Sequence, residues 1–447
     1  MTRVALVGLV GLGLLAACGH SPAAHDLDAS STPDASVDGF RGTPQFLAAR
    51  TAITADQVGV IVNDDDPLSV ATAEYYVTAR MIPAANVVHL HVPIHATITA
   101  AVFAPLADAV TTTLASTDAQ VLAITWTHPF AVDKMSITSA FALGSHVIAD
   151  TCTDPNSQYA TPNPYSTTPA STRPFTDLHF RPAMVIPATT IEEAKALIDR
   201  GVASDDTWPT GSAYLMRTHD ANRSARCILN PTYGYTNECQ TLLDTWDSVG
   251  SGIAGSIVMA ESISNKTDVM FYVQGLSTVP DIATNTYLPG AVADHLTSSG
   301  GSIPTSGQMS AFEFLRAGAT GSYGTVAEPC AYQQKFPNPA VLVPQYFAGA
   351  TLIEAYWKSV VWPAEGIFIG EPLARPFGNG VHASYVDHLL TIDTTTLVPG
   401  RMYRIEAADS PTGPFTTVRD GLSVPMYQRA TFTIDQPDRP FYRFGTP

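Results

Sequence analysis

Short, largely apolar, β-prone runs recur through the middle of this chain. "VGVIVN" (58–63), "NVVHLHV" (86–92), "QVLAITW" (120–126), "AMVIP" (183–187), "SAYLMR" (212–217), "GSIVMA" (255–260) and "DVMFYVQ" (268–274) are each long enough for one strand. A strand apolar on both sides must be covered on both faces. Stretches with helical spacing lie between them, such as "LSVATAEYYVTARMI" and "TIEEAKALIDRGV". Strand, helix, strand with short connections predicts an α/β fold with a mainly parallel central sheet flanked by helices. Thr189 or Thr190 caps the second helix, with Glu192 and Glu193 in its first turn. The series continues with "PGAVADHLTSS" read as a helix, "GATGSYGTV" as a small-residue strand, "YFAGATLIEAYWKSVVW" as one long helix and "GIFIGEP" as a closing strand. Tyr356 and Trp357 read as core aromatics.

Three segments interrupt this pattern. Residues 145–180 are rich in Pro, Thr and Ser, and read as an ordered surface excursion. After residue 378, β-branched and aromatic residues alternate with polar ones between Pro-Gly and Ser-Pro turns. That predicts a small C-terminal antiparallel β-module of sandwich type. Residues 19–45 hold Ser, Pro, Ala and Asp with few large apolar side chains, a composition that does not repay the entropy of ordering.

The start of the chain sets the compartment. Arg3, the apolar run "VALVGLVGLGLLAA" and then Cys18 have the layout of an export signal, too short to remain as a membrane span. Leu15-Ala16-Ala17-Cys18 resembles the lipobox of bacterial lipoproteins. The resemblance implies cleavage before Cys18, its acylation, and attachment of the protein to the membrane of the cell envelope. The expected organisation is a signal peptide at 1–17, a disordered tether at 18–45, an α/β domain at 46–377 and the β-module at 378–447. A formal charge of −17 argues against nucleic acid and anionic lipid as electrostatic partners. An envelope protein or a polysaccharide is the kind of partner left open.

Cys152, Cys227, Cys239 and Cys330 remain, an even number in an exported chain, which favours disulfides. A short loop closes between Cys227 and Cys239, leaving Cys152 to pair with Cys330. The competing reading makes Cys330 a nucleophile. A thiol needs a base for that, and the candidates are His128, His219 and His295, with Asp220 beside His219. A buried free thiol is the third possibility. Asn63, Asp64, Asp65 and Asp66 follow the first strand. Asn63, Asp64 and Asp66 offer oxygen ligands for Ca²⁺, or else Asn63 or Asp66 caps the helix starting near Pro67. Glu328 and Glu371 end apolar runs and are candidates for acid–base work in the same crevice as Asp64.

The segments "NDDDPLSVATAEYYVTARMIPAANVVHL", "MSITSAFALG", "LRAGATGSYGTVAEPCAYQQKFPNP" and "EAYWKSVVWPAEGIFIGEPLARPF" together resemble an uncharacterised family of exported bacterial proteins, over roughly residues 55–377. The order of elements is also similar to the gingipain-type cysteine peptidases of the caspase-like fold. That likeness implies a strand ending in His-Gly and a next strand ending in the nucleophilic cysteine. "GSIVMA" and "DVMFYVQGL" would be those strands. Neither ends that way here, and Cys330 comes one strand late. The expected function is therefore a binding or structural protein of the cell envelope on a hydrolase-like scaffold. The alternative is an active cysteine peptidase-like hydrolase with its site at the carboxyl ends of the strands.

Overall fold

A computed structural model describes residues 40, 42–47, 52–145, 163–227, 240, 243, 253–330, 332–378, 381–394, 397, 400–425 and 429–446. The expectations for the signal, for Cys18, for most of the tether and for the centre of the Pro- and Thr-rich excursion fall outside these residues. In chain order the strands of the main sheet are β2 (Val58–Asn63), β3 (Val87–Leu90), β5 (Val121–Ile124), β8 (Ala183–Val185), β9 (Ser212–Arg217), β10 (Ala254–Met259), β11 (Val269–Gln274), β12 (Tyr287–His295), β13 (Gly321–Thr325) and β14 (Gly366–Gly370). They form one ten-stranded sheet ordered β10-β9-β11-β12-β13-β14-β8-β5-β2-β3. Parallel pairing joins β10 through β13, and again β8 through β3. β14 runs antiparallel to β13, with Gly321 opposite Gly370. The fold is α/β with a mainly parallel sheet, as the apolar runs require.

Burial explains the strand composition. All six residues of β2 and all five of β13 and β14 are buried. Gly366 sits where an added Cβ would come within 1.8 Å of the Tyr323 hydroxyl oxygen, so the Tyr323 ring occupies the space a side chain at 366 would need. The helix Leu352–Ser359 is buried along its whole length, with Tyr356 and Trp357 in the core and Trp357 stacked on Phe368.

Two readings of local structure are corrected. "PGAVADHL" is not a helix but the body of β12, fully buried from Gly290 to His295. The segment read as one long helix breaks into Pro339–Phe347 and Leu352–Ser359. Gly349 at φ 86° ends the first, and a capping box between Thr351 and Glu354 starts the second.

Three short strands, β4 (Thr97–Ile98), β6 (Ala131–Val132) and β7 (Met135–Ser136), make a small separate sheet. The C-terminal strands are β15 (His382–Val386), β16 (Leu389–Thr394), β17 (Tyr403–Ala408), β18 (Thr416–Leu422), β19 (Ala430–Asp435) and β20 (Phe441–Gly445). They pair antiparallel in two small sheets that enclose an apolar core of their own, including Leu390, Ile392, Ile405 and Tyr442. The chain's first described strand, β1 (Gln45–Leu47), joins that module by parallel pairing with β20, and Phe46 packs on its core.

Candidate functional site

The carboxyl ends of β9, β11 and β12 meet one short segment. After β9 the chain turns at Thr218–Asp220 into a 3₁₀ turn, Arg223–Cys227. Thr218 Oγ1 donates to the Gly275 carbonyl just past β11, at 2.9 Å. A Cβ at Gly275 would lie 2.0 Å from the Arg223 carbonyl oxygen, so glycine is what lets the turn rest on the strand end. Arg226 is buried across the same place. Its Nη2 donates to the Gln274 carbonyl at 2.7 Å, and its Nη1 reaches Pro337 O at 3.4 Å and Asp294 Oδ1 at 2.5 Å. Burial pushes the Asp294 carboxyl up, and Arg226 opposes that shift.

Gln274 closes the strand end further. Its Nε2 donates to Glu261 O and Tyr272 Oη, and its Oε1 accepts from Gly275 N. His295, the last residue of β12, is wholly buried. Burial holds its pKa down to about 3, so the ring is neutral and donates from Nε2 to Met309 O at 3.1 Å. The base candidate His295 is therefore a neutral core histidine.

An exposed polar layer lies outside this plug. His219, with 78% of its side chain exposed, holds Glu261 in a fork: Nδ1 lies 2.5 Å from Oε2 and the backbone N–H 2.9 Å from Oε1. These bonds hold the Glu261 carboxyl below its ordinary value. Asp220 takes a different partner, Arg223 Nη1, at 2.6 Å. Arg223 continues to Thr297 Oγ1, which donates to Gln308 Oε1. The expected pairing of His219 with Asp220 thus gives way to two separate contacts, His219 with Glu261 and Asp220 with Arg223. Glu261 carries no signal in the sequence, because it sits 42 positions from its partner.

Cys330 follows β13, at φ 61°, with its N–H on Glu328 Oε1 at 2.8 Å. The side chains of Cys18, Cys152, Cys227 and Cys239 lie outside the described residues, and with them both expected pairings. Among the described residues no histidine hydrogen-bonds a serine or cysteine side chain. His128 follows β5, in the other parallel block, with its ring 5.8 Å from that of Phe130.

The acidic loop after β2 resolves into separate jobs. Asn63 is buried. Its Oδ1 accepts from Val92 N and Asp65 N, and its Nδ2 donates to Val92 O, tying the loop to the segment after β3. Asp66 Oδ1 accepts from Leu68 N and caps the helix Pro67–Arg80. Asp64 meets His89 and Asp65 meets His91. Among the described residues no group of three His, Cys, Asp or Glu is placed to hold a metal.

Glu371 does not share a crevice with Asp64. It is buried against Arg80, which also pairs with Asp205. Arg80 ends the 14-residue helix that Asp66 begins, and such a helix is about 21 Å long. Burial raises the Asp205 carboxyl, with Arg80 opposing. Arg80 and Asp205 form one wall of a cavity of about 310 Å³ between the body and the start of the module, also lined by Asp206, Arg375, Val381 and His382. His382 Nε2 lies 2.7 Å from Asp206 Oδ2 across it. The cavity was not legible in the sequence, since its walls are drawn from residues far apart in the chain.

No family model matches this chain, and no curated protein matches it. Two solved structures are distantly similar in arrangement. The complex of the pro- and mature domains of Porphyromonas gingivalis RgpB is 11% identical, over 87% of this chain and 99% of that one, with a TM-score of 0.40. A structure described as a protease is 10% identical, over 88% and 97%, with a TM-score of 0.36. Both are likenesses of a scaffold and carry nothing about its chemistry.

Proposed function

We propose that this chain is an exported lipoprotein that works on its hydrolase-like scaffold by binding or by structural support in the cell envelope. The anchor is Cys18, acylated after cleavage of residues 1–17, and residues 18–45 tether the body to the membrane. The partner is an envelope protein or a polysaccharide. The observation that supports this reading is the plug at the carboxyl ends of β11 and β12, where parallel sheets place their ligand crevices. Arg226, Asp294, Gln274 and Gly275 fill that place with a closed set of contacts.

A second reading, an active cysteine peptidase-like hydrolase, draws support from one observation. The exposed His219–Glu261 pair has the imidazole–carboxylate geometry of a base held in orientation. A pool of fluorogenic peptides separates the two. The binding reading expects wild type and Cys330→Ala to release no fluorophore above buffer. Turnover by wild type that is lost in Cys330→Ala and His219→Ala overturns it. The anchor is tested separately by detergent phase partitioning. Wild type should enter the detergent phase and Cys18→Ala the aqueous phase. Equal partitioning of both overturns the lipoprotein assignment.

A further inference from the structure

The edge strand β3 and the two residues that follow it carry a feature that neither reading uses. Burial alternates from Val88 through Val92, with Val88, Leu90 and Val92 inside and His89 and His91 outside. The alternation runs one residue past the end of β3 at Leu90, so the two imidazoles stand on the same face, two residues and roughly 6.6 Å apart along an extended chain. Each is held from behind by its own carboxylate. His89 Nδ1 lies 2.7 Å from Asp64 Oδ1, and His91 Nδ1 lies 2.8 Å from Asp65 Oδ1. The carboxylates come from the loop after β2, which Asn63 and the Asp66 cap fix in place.

A neutral imidazole whose Nδ1–H is given to a carboxylate has its lone pair on Nε2. Carboxylate, then imidazole, then metal is the arrangement that orients a ligating histidine and raises its basicity. Both rings keep that outer nitrogen accessible, since 58% of the His89 side chain and 77% of the His91 side chain are exposed.

We propose that His89 and His91 form a two-imidazole site for a divalent transition-metal ion, oriented by Asp64 and Asp65. Two nitrogen ligands leave the remaining positions to water, so the site is open. Imidazole ligands and the order of divalent affinities select Cu²⁺ over Ni²⁺ and Zn²⁺. Ca²⁺, which prefers an all-oxygen shell, is not the ion such a pair selects.

The test is titration of the purified full-length chain with copper(II) chloride, followed by calorimetry and electron paramagnetic resonance. The expected result has two parts. A copper signal with hyperfine splitting from two nitrogens disappears in the His89→Ala/His91→Ala double variant. Asp64→Asn and Asp65→Asn each weaken copper binding about 10- to 100-fold. The His89→Ala/His91→Ala and Asp65→Asn variants should keep the wild-type melting curve without metal, because those side chains are more than half exposed. Retention of the two-nitrogen signal at wild-type affinity in the double variant overturns the site. Unchanged affinity in both Asp→Asn variants overturns the orienting role of the carboxylates.

Discussion

Arg226 and Asp294 form a buried ion pair, 2.5 Å apart, that joins the turn after β9 to the end of β12. Both side chains are almost wholly buried, at 3% and 4% exposure. Removing one partner leaves the other charge buried without its counterion, which typically costs about 3–5 kcal/mol. Arg226→Ala and Asp294→Ala should each lower the unfolding free energy by about that much in a urea titration. Arg226→Met with Asp294→Leu together should cost clearly less than either single change. A near-wild-type midpoint for both single variants would remove the pair from the account of the plug.

His295 gives the fold an acid sensitivity with a definite sign. Its folded pKa of about 3 lies below the ordinary value of 6.5. Below about pH 6.5 the unfolded chain takes up a proton at this position that the folded chain refuses. Stability from this group is therefore full above about 6.5 and falls by about 1.4 kcal/mol per pH unit down to about 3. Urea titrations at pH 7, 5 and 4 should show that slope, and His295→Gln should flatten it. Parallel pH profiles for the two proteins would contradict the assignment.

The N-terminal strand closes the C-terminal module rather than the main sheet. Phe46 meets Phe444 edge-on, with ring centroids 5.0 Å apart, and β1 pairs with β20. Phe46 is only half-buried, so Phe46→Ala should cost about 1–2 kcal/mol, less than the 3–5 of a fully buried phenylalanine. Hydrogen exchange should show faster exchange in β20 and β17, with β2 and β5 unaffected. Faster exchange in the main sheet instead would mean that β1 supports the body.

Asp66 caps the helix Pro67–Arg80 through Leu68 N at 3.0 Å. Asp66→Ala should lower stability by about 0.5–2 kcal/mol, and Asp66→Asn by less, because either side-chain oxygen accepts the same bond. Equal losses in a thermal melt would point to charge, not capping, as what Asp66 contributes.

The parallel sheet was legible because its inner strands are buried on both faces and carry that burial in their own residues. β2, β5, β11 and β14 are continuous apolar runs. The Asp66 cap and the Thr190 cap with Glu193 were equally local. β12 was not legible. Ala291 and Ala293 suit a helix by propensity, and the position between β11 and β13 overrides it. The site was harder still. Arg80 and Glu371 are 291 positions apart, Arg226 and Asp294 68 apart by their numbering, and nothing in either neighbourhood marks the partner. His219 was singled out correctly as a residue at a strand end, but its carboxylate is Glu261 and not the adjacent Asp220. Spacing along the chain does not report which of several acids a turn brings near.

The account stands or falls on the sulfur of Cys330. The measurement is iodoacetamide labelling at neutral pH without reductant, followed by non-reducing peptide mapping. The account predicts that Cys330 stays unlabelled and is recovered in a disulfide-linked peptide, for which Cys152 is the proposed partner. Rapid alkylation of Cys330 before any reductant is added would contradict it and make that thiol the leading nucleophile.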